Sequence, residues 1–151
     1  LDRPRHADII NAIRSTGAAV RLITDGDVAG VIHTADSDNT GVDIYIGTGG
    51  APEGVLAAAA LRCIGGQMQG RLILDSDDKR ARALKMGIAE PNRKYRADEL
   101  ASGDVLFAAT GVTDGSLLNG VRYARHSVRT STVVMRSWSQ TVRWISAEHR
   151  R

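Results

Sequence analysis

Gly47-Thr48-Gly49-Gly50-Ala51-Pro52-Glu53-Gly54 runs directly into an apolar stretch over 55–64 that contains no interior helix breaker. Ahead of it, Val42, Ile44 and Ile46 alternate with Asp43 and Tyr45, the period of a half-buried strand. The reading is a strand over 42–46, a glycine-rich turn, a proline suited to the first turn of a helix, and an Ala-rich helix. Glycines let a backbone approach a ligand closely, and free N–H groups at a helix N-terminus attract anions, so the loop suits a phosphate or sugar oxygen. Glu53 stands at its mouth with two readings. It is a first-turn carboxylate stabilised by the helix macrodipole, or it holds a divalent cation that in turn contacts a phosphate.

On the N-terminal side, Asp2-Arg3-Pro4-Arg5-His6 precedes a helix in which Ile9, Ile10 and Ile13 fall at helical spacing and which stops at Gly17. Arg3 and Arg5, separated by a proline that stiffens the backbone, suit either a solvated turn or two guanidinium groups presented to one phosphate. Residues 18–24 read as a strand ending in Asp25-Gly26-Asp27, followed by a short apolar helix over 28–35 and a polar loop over 36–41. Two acids around a glycine at the C-terminal end of a strand lie where open α/β sheets take their ligands. An Asx turn, with Asp25 or Asp27 capping the next helix, is an equal alternative.

On the C-terminal side, the central helix ends at Gly65-Gly66, and 67–74 is a candidate strand. Asp75-Ser76-Asp77-Asp78 lacks the rest of an EF-hand spacing and reads as the cap of a charged helix over 79–86, closed by Gly87. A basic connection over 91–96, whose Lys94 and Arg96 suit an anion but more simply a solvated loop, leads to a short helical turn over 97–101. The run over 105–109 is apolar throughout, as in a strand covered on both faces. It opens into Thr110-Gly111-Val112-Thr113-Asp114-Gly115, whose Asp114 either lines the same cleft or forms the turn. Segments 120–125, 127–137 and 141–146 are rich in Val, Thr, Arg and Trp and read as antiparallel strands, with Ser137-Trp138-Ser139-Gln140 as a hairpin turn.

With 151 residues and 42% hydrophobic content the chain is one domain's worth, and no apolar run reaches membrane-spanning length. Twenty basic against seventeen acidic residues give a net charge of +3. The two signs are interspersed except near the C-terminus, which argues against nucleic acid and for anionic small molecules. Cys63 is the single cysteine and lies in an apolar helix, so no disulfide framework is expected and a reducing, cytoplasmic compartment fits. His6, His33, His126 and His149 show no metal-ligand spacing, and the glycines of the central loop do not match the dinucleotide-binding pattern. The chain begins at Leu1 with a motif already under way at Arg3, which predicts a fragment.

Five motifs, in order, carry a resemblance. Asp2-Arg3-Pro4-Arg5-His6, Thr24-Asp25-Gly26-Asp27, the loop from Gly47 to Gly54, Gly66-Gln67-Met68-Gln69-Gly70-Arg71-Leu72 and Ala108-Ala109-Thr110-Gly111-Val112-Thr113-Asp114-Gly115 closely resemble the C-terminal half of class II fructose-1,6-bisphosphatases. The resemblance covers nearly the whole chain. It implies the layered α/β sandwich of the lithium-sensitive, metal-dependent sugar phosphatases, with mixed sheets and flanking helices, residues 1–151 forming the C-terminal sugar-phosphate-binding domain.

By position in these motifs, Glu53 matches a metal-ligating glutamate for Mn²⁺ or Mg²⁺. Arg3, Pro4 and Arg5, then Asp25, Gly26 and Asp27, then Gly50 match segments that contact the sugar bisphosphate. The arginines would hold the phosphate that is not cleaved, and the aspartates would receive sugar hydroxyls. The resemblance implies hydrolysis of the 1-phosphate of fructose 1,6-bisphosphate, or of sedoheptulose 1,7-bisphosphate, by metal-activated water in a homo-oligomer. The N-terminal half that supplies most metal-binding carboxylates has no match here, so the isolated fragment is expected to be inactive. A non-catalytic, regulatory sugar-phosphate-binding module is the alternative.

Overall fold

The computed structural model describes residues 1–90 and 92–150. Pro91, at the head of the expected basic connection, and Arg151 lie outside the described residues.

The fold is built on α4 (Ala51–Ile64). Pro52 enters its first turn, where a missing N–H costs nothing, and a run of alanines continues it. At its end Gly65 takes a φ of 77°, and the Gly66 N–H donates to the Leu61 carbonyl at 2.9 Å, closing the last turn. Because Ala57, Ala58 and Ala60 are small, neighbours come close to the helix axis, and all three are buried. α4 packs on α2 (Asp27–His33), α6 (Ala97–Leu100) and the strands β3 (Leu106–Thr110) and β5 (Ser127–Arg136). One core cluster joins Ala60 and Cys63 of α4 to Ile32, Phe107, Val133 and Met135. A second joins Ala57 and Leu61 to Val31, with Tyr45 and Met68 packed against it. Fully burying side chains such as Leu61 and Met135 stabilises by roughly 2 kcal/mol each, which makes the helix the centre of the domain energetically.

Two sheets flank it. β1 (Gln69–Arg71) and β2 (Lys94–Arg96) form an antiparallel pair with Gly70 opposite Tyr95. β3, β4 (Arg122–Tyr123), β5 and β6 (Thr141–Arg150) form the larger sheet, in which β5 pairs with the other three. The β5–β6 hairpin has ten paired positions from Ser127↔Arg150 to Arg136↔Thr141, so β6 runs beyond the 146 expected from composition. Gln140, the one described non-glycine residue with a positive φ (47°), makes the expected turn.

Helices α1 (Ala7–Ser15), α3 (Ser37–Thr40) and α5 (Asp77–Lys85) lie between these elements. Ser76 caps α5 by accepting from the Lys79 N–H at 3.3 Å, as the acidic cluster predicts. α3 falls inside the stretch expected to be a polar loop.

The α/β architecture of helices layered on sheets is present, with two differences in its strands. The segments over 18–24 and 42–46 join no ladder among the described residues, although both read as strands from the sequence, the second by its apolar alternation. Alternation fixes which face is apolar, whereas a ladder also needs a neighbour about 4.8 Å away. Both segments line a cavity of about 430 Å³, shared with Ile9, Ile10 and Ile13 of α1. The second difference follows from the first. Parallel pairs need crossover connections, and with these segments unpaired every described pairing is antiparallel rather than mixed.

Candidate functional site

A larger cavity, about 800 Å³, opens beside the N-terminus of α4. The residues over 43–50 form one wall and the first turn of α4 another, with Asp27 of α2, and Arg96 and Asp98 at the start of α6, completing it. The glycine loop, which leads from the unpaired 42–46 segment into α4, brings bare backbone to the edge of this concave space.

Two carboxylates lie against the loop. Glu53 is in the first turn of α4, and a Cβ placed on Gly50 would overlap its carboxylate; the glycine is what leaves room for it. Gly50 itself has an ordinary extended backbone (φ −67°, ψ 143°), so space rather than conformation requires a glycine here. One residue earlier, a Cβ on Gly49 would stand 3.3 Å from Asp27 Oδ2. Asp27 and Glu53, far apart in sequence, therefore meet adjacent glycines, Gly49 and Gly50 respectively.

The arginine turn reaches the loop from outside. Pro4–His6 is a single 3-10 turn, and from it Arg5 Nε donates to the Thr48 carbonyl at 3.0 Å. The terminal nitrogens of Arg5 make no hydrogen bond among the described residues and remain available to an anion. Arg3 donates to the Thr24 carbonyl at 2.9 Å and to the Asp2 carbonyl at 3.1 Å, which sets its guanidinium beside the Asp25-Gly26-Asp27 turn. Pro4 fixes the turn between the two arginines.

Asp25 accepts from the Gly26 N–H at 2.8 Å, and Gly26, at φ 82°, reverses the chain into α2. A left-handed φ of that size is open to glycine and strained for most other residues. The residues singled out from sequence thus divide. Asp27, Gly50 and Glu53 line the cavity; Arg5 is bonded to its wall at Thr48; Arg3, Pro4, Asp25 and Gly26 stand outside the lining. Asp114 is remote from it: it accepts from the Gly120 N–H at 2.9 Å and from Arg122 at 2.8 and 2.9 Å, so it forms the turn instead of lining the cleft.

Several wall residues carried no role in the sequence. Tyr45 faces the cavity, and burial pushes its phenol above the ordinary range, with the Asp27 charge adding to the shift and Arg5 opposing it. Arg96 grips Asp98 with two bonds, 3.1 Å from Nε and 2.9 Å from its terminal nitrogen, which holds the Asp98 carboxyl below the ordinary range. Both side chains of this pair, at the junction of β2 and α6, are exposed to solvent. The one readable signal was Tyr45, a phenol in an otherwise aliphatic alternation.

The donor set does not complete a divalent metal site. Among the described residues no three His, Cys, Asp or Glu side chains converge. A hard divalent cation is held through oxygen ligands in a defined shell, and Glu53 supplies one carboxylate toward it. Nor does any described helix have the length and apolarity to cross a membrane.

Comparison with known proteins identifies the family. The family model described as bacterial fructose-1,6-bisphosphatase, glpX-encoded, matches residues 1–149. Proteins named D-fructose 1,6-bisphosphatase class 2/sedoheptulose 1,7-bisphosphatase are similar over 99% of the chain: those of Synechococcus sp. (strain JA-3-3Ab) at 45% identity and Gloeobacter violaceus (strain ATCC 29082 / PCC 7421) at 46%. The protein of that name from Microcystis aeruginosa (strain NIES-843 / IAM M-2473) is 45% identical. The chain spans about half the length of these curated relatives, 46%, 46% and 47% respectively. With a family match from residue 1 to residue 149, the chain belongs to the glpX-encoded bacterial fructose-1,6-bisphosphatase family.

Proposed function

We propose that this chain is the sugar-phosphate-binding part of a phosphatase that removes the 1-phosphate of fructose 1,6-bisphosphate or sedoheptulose 1,7-bisphosphate, releasing inorganic phosphate. The observation that carries the reading is the bond between Arg5 and Thr48, which joins an arginine turn to the glycine loop at the cavity that holds Glu53. Cation and glycine loop suit a phosphate; the carboxylates and backbone suit sugar hydroxyls.

The residues divide the work by position. Arg5, with Arg3 beside it on the turn that Pro4 stiffens, takes the phosphate that is not cleaved. Asp25 and Asp27, on either side of Gly26, accept from hydroxyls, and the Gly49-Gly50 backbone lets the sugar approach closely. Glu53 is one ligand toward Mn²⁺ or Mg²⁺ in a site that this chain does not complete. No step of the hydrolysis is therefore assigned to its residues beyond binding and orientation. In the whole protein we place the activity in the cytoplasm, within a homo-oligomer.

The absence of a three-ligand cluster among the described residues favours, as a second reading, a sugar-phosphate-binding module without catalysis. Phosphate release from fructose 1,6-bisphosphate by the native-length protein, with and without Mn²⁺, separates the two. Metal-dependent release is the expected result. Sugar-phosphate binding that is indifferent to metal and leads to no release would establish the second reading instead.

A further inference from the structure

We propose that His6 is a positioning residue, whose imidazole, held in the Nδ1–H tautomer, fastens the glycine loop to the arginine turn. Its kinetic consequence rests on the proposed function; its geometry does not.

His6 is 2% exposed and ends the same turn that carries Arg5. Its Nδ1 lies 2.8 Å from the Leu1 carbonyl. A carbonyl only accepts, so Nδ1 carries the proton, and in the neutral ring Nε2 is then an acceptor. It finds its donor at 2.9 Å in the Thr48 N–H. The Thr48 carbonyl, 3.2 Å from the same nitrogen, has a better partner in Arg5 Nε at 3.0 Å. Both polar groups of the Thr48 main chain are thus satisfied by two consecutive residues of one turn.

Those bonds are the loop's attachment. Residues 43–47 and Gly49 have no main-chain hydrogen bond among the described residues, and Gly50 next contributes its carbonyl to the Gly54 N–H inside α4. A loop of this glycine content loses much entropy on being fixed, so its placement depends on the few bonds that hold it. Gly47 packs on the ring as well, its Cβ position 3.7 Å from His6 Cε1. Two residues beyond Thr48 comes Gly50, against which the Glu53 carboxylate lies.

The ring does not line the larger cavity, so it acts through Thr48 and touches no substrate. What it sets is the separation between the Arg5 guanidinium and the loop that faces the sugar. Losing the acceptor leaves a part-buried N–H unpaired and the loop free to move away from Arg5.

Two amide variants in the native-length protein divide the ring's functions. Glutamine reaches the position of Nε2 and can accept from Thr48; asparagine reaches that of Nδ1 and can bond Leu1 but not Thr48. His6→Asn is expected to raise KM for fructose 1,6-bisphosphate about tenfold, as for a part-buried donor left unpaired. His6→Gln should stay within about threefold of the parent, because it restores the bond in question. Equal KM values in the two variants, or a better asparagine variant, would overturn the proposal. A two-bond ¹H–¹⁵N spectrum of the unsubstituted protein decides the geometry whether or not the variants fold. The expected pattern is a protonated Nδ1 and a bare Nε2 at His6, and the opposite tautomer would overturn the proposal. An unsubstituted protein that releases no phosphate would defeat the proposed function while leaving that spectrum to decide His6.

Discussion

Arg5 Nε donates to the Thr48 carbonyl at 3.0 Å, joining segments 43 residues apart. The bond uses the one guanidinium nitrogen that faces the protein and leaves the forked end, the part that matches a phosphate, directed elsewhere. A short N-terminal turn and a glycine loop are by this contact one continuous surface.

Removing that guanidinium should weaken substrate binding in ground and transition states alike. Arg5→Ala in the native-length protein is expected to raise KM for the sugar bisphosphate by roughly 10- to 100-fold, the range for lost hydrogen bonds to a charged group, with kcat within about twofold. Steady-state kinetics read the split directly. A fall in kcat at unchanged KM would place Arg5 at the scissile phosphate instead.

Gly50→Ala tests the space left for Glu53. The backbone at Gly50 accepts an alanine without strain, and the atom it would meet is the tip of a flexible side chain. Stability should therefore change by less than about 1 kcal/mol. Displacing a carboxylate by an ångström or more is expected to lower turnover at least about tenfold, since positioning errors of this size are costly. Thermal melts and phosphate release on the same sample distinguish the two effects.

Asp104 holds the corner between β3 and the β5–β6 hairpin. It accepts from Arg136 at 2.6 and 3.1 Å, from the Ser137 hydroxyl at 3.1 Å and from the Trp138 N–H at 3.3 Å. The Arg136 bond is the largest reason its carboxyl is held below the ordinary range. A depressed folded pKa contributes stability above the unfolded value, about 3.9, and that contribution is lost as pH falls through the folded value. Asp104→Asn should lower the melting temperature near neutrality and reduce its fall in acid. An unchanged acid limb in that variant would remove Asp104 from the account.

Leu61 joins α4 to α2 in the second core cluster and is 1% exposed. Leu61→Ala is expected to cost about 2–5 kcal/mol, measured by urea denaturation, because the rigid alanine face around it cannot close the cavity.

The elements legible in the sequence are those fixed by local chemistry. The Pro52 entry and Gly65-Gly66 exit of α4, the Ser76 cap of α5, the apolar run of β3 and the turn at Gln140 each follow from residues within a few positions. What escaped depends on partners far along the chain. The apolar character of 18–24 and the alternation at 42–46 could not say whether a neighbour pairs with either, and β2 becomes a strand only through its register with β1, Arg96 opposite Gln69. The site divides the same way. Glu53 against Gly50 is a helical-turn relationship that the sequence carries, whereas Asp27 beside Gly49, Arg5 on Thr48 and His6 Nε2 on the Thr48 N–H are contacts across more than twenty residues. No spacing rule encodes them.

The most direct test is the turnover of Glu53→Ala in the native-length protein. Changing groups that merely support a metal ligand lowers metal affinity or activity about 10- to 100-fold, so losing a ligand should cost at least about 100-fold in kcat. Because Glu53 is exposed in the first turn of α4, the melting temperature should hardly move. That pairing of lost turnover with retained fold is the expected result; near-normal turnover would contradict the assignment of Glu53 and the reading of the glycine loop built on it.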